Sequence, residues 1–95
     1  MIVGVLRIRL AVPAETLKEK RAILKSLVDR LRRRFNAAVA EVDDLDSASR
    51  ATVAVCCVSN EAAHVERQLA TIARVAEDLR LDVEILSIET ELLHV

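Results

Sequence analysis

An α+β sandwich is the fold class this sequence predicts, and three observations predict it. Four segments (2–12, 37–42, 50–59 and 83–93) are rich in apolar and β-branched residues at strand length. Two longer segments, 17–35 and 61–80, place apolar residues three and four positions apart, the period of a helix with one buried face. In chain order these alternate strand-helix-strand-strand-helix-strand. With one Gly and one Pro in 95 residues there is little loop, and the length allows a single domain, residues 1–95.

The first strand alternates strictly. Ile2, Leu6, Ile8, Leu10 and Val12 point one way; Val3, Val5, Arg7, Arg9 and Ala11 point the other. Pro13 ends it. Thr16 and Glu19 have the spacing of a capping box, in which each side chain takes up a free backbone N–H of the other. The helix that follows runs to Phe35 with a core stripe of the Lys20 stem, Leu24, Leu27/Val28, Leu31 and Phe35, and Asn36 is its expected left-handed stop.

The second strand, AAVAEV, leads through the polar run DDLDSAS into a third strand that is apolar on both faces and therefore central. Ser59 or Asn60 caps the second helix, whose stripe is Ala62, Val65, Leu69, Ile72, Ala76 and Leu79. In the last strand Leu86, Ile88 and Leu92 are expected to face the helices, leaving Ile85, Ser87, Glu89 and Glu91 on the other side. Right-handed crossovers put both helices on one face of a four-stranded antiparallel sheet. That is the ferredoxin-like βαββαβ plan, strand order 4-1-3-2. The first and last strands are then neighbours, and Arg7 and Arg9 can pair with Glu89 and Glu91 on the helix-free face. Such a ladder solubilises an open sheet, or provides a self-complementary surface for a homodimer.

Charge is unevenly distributed. Residues 1–35 hold ten Lys/Arg against three Asp/Glu, a net of +7; residues 36–95 hold four against twelve, a net of −8. The first helix alone has eight cations against Glu19 and Asp29, a net of +6. Lys18, Arg21, Lys25, Arg32 and Arg33 are the candidates for contacts to a phosphate backbone, where each contact releases bound counterions. The competing reading is a solvated face, with Lys25–Asp29 and Asp29–Arg33 pairs and cations suited to a helix C-terminus. An RNA platform on the free sheet face is disfavoured. Such platforms stack bases on aromatic rings, and Phe35, the one aromatic residue, is assigned to the core.

No catalytic constellation stands out, and the expectation is a protein without enzymatic activity, cofactor or bound metal. The acidic group Glu41, Asp43, Asp44 and Asp46 offers oxygen ligands but lacks the glycine of a calcium loop, and reads as a solvated turn. His64 and His94 have no ligand partner at metal spacing. Adjacent Cys56 and Cys57 point to opposite faces of a strand and read as small buried residues of a reducing compartment. With no signal peptide pattern and no apolar run of membrane-spanning length, the expected location is the cytoplasm.

The run TLKEKR, LKSL, RLR, RFN and VAEV at its observed spacing resembles the YlxP-like family, a bacterial domain of unknown function, and the likeness covers essentially the whole chain. Where related sequences often carry an aromatic residue after the acidic turn, this chain has Leu45-Asp46-Ser47. The resemblance implies the same ferredoxin-like fold and no established activity. It also implies, from the company such genes keep, a partner in the ribosome. Two functional expectations follow. One is an accessory protein that binds structured RNA or a ribosome-associated partner through the first helix. The other is a structural or regulatory homo-oligomer.

Overall fold

In the computed structural model, which describes residues 1–79 and 82–95, the elements are β1 (Ile2–Ala11), α1 (Leu17–Arg34), β2 (Ala38–Asp43), β3 (Arg50–Ser59), α2 (Ala62–Leu79) and β4 (Glu84–His94). The expected end of the second helix at Arg80 lies outside the described residues. The sheet is antiparallel throughout, with order β2-β3-β1-β4. This is the ferredoxin-like plan, 4-1-3-2, with both helices over one face.

Alternation in β1 builds the core. Ile2, Leu6, Ile8, Leu10 and Val12 are all buried beneath the helices, with Val53, Val55 and Cys57 beside them on β3. The helices add Leu24, Leu27, Val28 and Leu31 from α1, and Val65, Leu69, Ile72 and Ala76 from α2. Gly4 lies where α2 crosses β1. A methyl group there would collide with Val65 Cγ1 and stand 3.0 Å from Leu69 Cδ1. The absence of a side chain lets the helix settle onto the strand.

Several local features differ from expectation. The capping box is half formed: Glu19 N–H donates to Thr16 Oγ1 at 3.2 Å, but the Glu19 carboxylate accepts the Thr16 hydroxyl at 3.1 Å rather than its backbone N–H. The first helix ends at Arg34. Phe35 is its cap, in extended conformation (φ −125°, ψ 145°), and is half-buried at the core's edge with the Arg34 guanidinium 6.0 Å from its ring centre. Asn36 is not left-handed; among the described residues Asp44, with φ 58°, is the one in that region. α2 begins at Ala62, which puts Glu61 rather than Ser59 or Asn60 at its cap position; Ser59 Oγ accepts the Glu61 N–H at 3.3 Å just ahead of the helix.

β4 also departs from expectation. Its register against β1 slips between Arg9 and Leu10, so that Arg9 faces Ser87 while Leu10 faces Ile85. Leu86 occupies a bulge and is 45 % exposed, and half-buried Ile85 packs against the core in its place. The buried Leu10 needs an apolar neighbour on the helix face, and a one-residue bulge supplies Ile85 without disturbing Ile88 or Leu92. The ladder continues to both termini, where Val95 N–H donates to Met1 O at 2.9 Å.

Candidate nucleic-acid interface on the first helix

Beneath the basic surface of α1 is a lysine that has no part in it. Lys20 holds a core-facing position of the helix and is 1 % exposed. Its ammonium donates to Asp44 O at 2.8 Å and to Arg50 O at 3.1 Å, and approaches Glu41 Oε2 at 2.9 Å. Two carbonyls and a carboxylate thus surround the buried charge and compensate it. The Glu41 contact is ionic: Oε2 is buried and accepts no well-directed hydrogen bond. The left-handed Asp44 belongs to the turn whose carbonyl reaches Lys20. One side chain thus fastens α1 to β2 and to both ends of the β2–β3 connection.

From the sequence alone the Lys20 head is expected in solvent and Glu41 in a solvated acidic turn; the fold buries Lys20 and half-buries Glu41. A signal was present. Lys20 interrupts an apolar stripe, and Glu41 alternates in phase with Val39, the buried residue of β2. A cation and an anion on two faces that must meet predict each other. Asp43 and Asp44 are also engaged: Asp43 Oδ1 accepts the Asp44 N–H at 2.9 Å, and the Thr52 hydroxyl is 3.4 Å from Asp44 Oδ2. Among the described residues no three metal-ligating side chains converge.

Above this anchor the five candidate cations lie on the exposed side of α1, in two groups. The side chains of Lys18 and Arg21 make no hydrogen bond or ion pair among the described residues. Lys25 donates to Asp29 Oδ2 at 2.8 Å. That bond, reinforced by the charges of Arg33 and Arg32, holds the Asp29 carboxyl below the usual range despite some desolvation. Arg32 donates through Nε and Nη2 to Val39 O, at 3.1 and 2.6 Å, bridging α1 to the edge strand β2. Arg33 Nε donates to Asp29 O at 3.3 Å. Arg30, counted with the basic helix, donates to Leu79 O at 3.3 Å and satisfies a terminal carbonyl of α2. Between α1 and β2 runs a shallow groove of about 290 Å³, bordered by Arg21, Lys25, Asp29, Arg32, Ala40 and Glu41.

On the opposite side of the sheet, Arg7 Nη1 stands 3.5 Å from Glu91 Oε2, a diagonal pair, since Arg7 directly faces Glu89 and Val5 faces Glu91. Arg9 faces Ser87, and no ion pair joins it to Glu89. The expected ladder is therefore one pair.

Fold and surface together define a ferredoxin-like α+β domain with a basic outer helix and an uncovered sheet face. The chain belongs to the family described as "Protein of unknown function (DUF503)", which matches residues 3–90. It is 34 % identical over 56 residues to "Uncharacterized protein YlxP" of Bacillus subtilis (strain 168), a stretch covering 59 % of this chain and 61 % of that protein. The YlxP-like resemblance carried by the TLKEKR and VAEV motifs is thus confirmed. Lys20 and Glu41, one from each motif, meet as the buried ion pair. Among solved structures, the de novo designed protein Foldit4 is similar in fold, with TM-score 0.53 and 20 % identity over 97 % of each chain. SnoaB, a cofactor-independent oxygenase from Streptomyces nogalater, gives TM-score 0.48 and 10 % identity, covering 99 % of this chain and 92 % of that one. No helix among the described residues is long and apolar enough to cross a membrane.

Proposed function

We propose that this protein is a docking module, without a chemical step, that binds the phosphate backbone of structured RNA through the exposed face of α1. The observation that supports this is the state of its cations. Arg32 and Arg33 are each held at Nε by a main-chain carbonyl, which leaves other guanidinium nitrogens as donors on exposed side chains already restrained in place. Restraint before binding lowers the entropy lost on contact. Lys18 and Arg21 extend the same face with uncommitted charge. Recognition would be of backbone and shape, with little base preference, because phosphate contacts position a protein without reading sequence.

The test is binding of an RNA hairpin by the full chain across a salt series. Five phosphate contacts predict a slope of log affinity on log salt on the order of −4. Lys18→Glu and Arg21→Glu, which disturb no bond of the fold, are each expected to weaken binding of all hairpins alike and to lessen the slope by about 1. No binding at low salt rejects the reading. Binding that neither variant weakens moves the site off α1. Capture of a ribosomal protein that persists after RNase treatment assigns the face to a protein partner instead.

A further inference from the structure

One end of the helix-free face of the sheet is apolar, where an open antiparallel face is ordinarily polar. Val3, Val5, Cys56, Val58 and Leu93 lie together at one end, with Val58 64 % and Leu93 41 % exposed. A contiguous apolar patch of this kind marks an interaction surface.

Its relief is uneven. The half built by β1 and β4 carries long side chains: Val5, Arg7, Glu91 and Leu93. Between Arg50 and Thr52 at one end and Val58 at the other, the half built by β2 and β3 carries short ones: Ala38 beside Cys56, and Ala40 beside Ala54. We infer that this face binds a second copy of the same chain, related by a two-fold axis running along the strands through the middle of the sheet. That operation lays β1 over the partner's β3 and β4 over the partner's β2, so each long half covers a short half. Val3 then meets the partner's Val58 and Val5 meets the partner's Cys56, while the Arg7–Glu91 pair, neutral in itself, lies over the partner's alanines. Face-to-face sheets about 10 Å apart have room for one long and one short layer.

By register the free face carries Arg7, Arg9 and Arg50 against Asp43, Glu84, Glu89 and Glu91, so little net charge opposes the approach of two copies. Strand spacing and rise give the face a projected area on the order of 600 Å². Two such faces remove on the order of 1,200 Å², the lower bound for a specific interface. The dimer should therefore dissociate on dilution.

Sedimentation equilibrium of the full chain over a dilution series is expected to move from the 10.5 kDa chain mass to twice that value. Val58→Glu, which places a carboxylate against the partner's Val3, should remain monomeric where the parent is dimeric, with unchanged far-UV circular dichroism. Cys56 supplies a readout that needs no substitution: its alkylation should slow as concentration rises through the same midpoint. If Val58→Glu fails to fold, this thiol readout decides alone. A chain that stays monomeric at the highest attainable concentration overturns the inference. So does a dimer in which Cys56 reacts equally fast at every concentration, or one that Val58→Glu leaves intact.

Discussion

At the scale of single residues, Lys20 is where sequence and structure differ most. A lysine in an apolar stripe ordinarily lays its stem on the core and lifts its charge into water. Here water is replaced by two carbonyls and a carboxylate. Breaking a buried pair on one side costs about 3–5 kcal/mol, because the remaining charge has no compensation. Glu41, whose side chain is 19 % exposed, retains some contact with solvent, so Lys20→Met should fall near the lower end. Lys20→Met with Glu41→Leu should recover much of that loss, since an apolar replacement of both partners is often nearly neutral. A double-mutant cycle by urea unfolding reads the coupling; additive effects would show that the pair contributes nothing as a pair.

The two cysteines make a second residue-scale prediction. Buried Cys57, aided by the neighbouring Cys56, has its thiol pushed up in pKa, burial being the larger cause. Only thiolate reacts, so in dilute solution one thiol per native chain should be alkylated quickly, and Cys56→Ser should remove that fast phase. The sign for stability follows. A folded-state pKa raised above the unfolded one favours the fold fully below the unfolded value, and that contribution is lost as pH rises through the folded value. Stability should therefore decline on the alkaline side, and Cys57→Ala should flatten that decline.

At the scale of elements, the alternation of β1 and the helical periods of α1 and α2 were legible, because each states a direction for every side chain. β3 was legible as central because both its faces are apolar. Two details were not. Ile85 and Leu86 are both apolar, so either phase of β4 satisfies its own pattern; only the partner Leu10 selects Ile85. The end of α1 was blurred because Phe35 continues the helical stripe while its backbone has already become extended. The basic candidates were legible as a face, but the hydrogen bonds that divide them into held and free groups were not, since those depend on carbonyls such as Val39 O brought from another element. Gly4 shows the same limit. In sequence it is a glycine inside a strand, and in the fold it is the clearance for α2. Gly4→Ala should destabilise by about 1–3 kcal/mol through overpacking against Val65 and Leu69. A substitution without effect on the urea midpoint would mean that α2 gives way at no cost.

At the scale of the whole molecule, the sheet separates two surfaces. The basic face of α1 lies on the far side of the helix layer, and the uncovered face of the sheet is the other. Packing the sheets of two copies together would leave both α1 helices outward, one on each side of the assembly. The intervening helix and sheet layers are each about 10 Å thick. Charges separated by that distance are largely screened at physiological ionic strength, where the Debye length is about 8 Å. RNA binding and self-association should then be energetically independent. A saturating RNA hairpin is expected to give an assembly of two chains and two hairpins, and to leave the concentration midpoint of Cys56 protection where it was. A midpoint that shifts when the hairpin is added would show that α1 communicates with the sheet face. The route to test first would be Arg32, the exposed cation that hydrogen-bonds the edge strand β2 through Val39 O, next to Ala38 and Ala40 of the free sheet face.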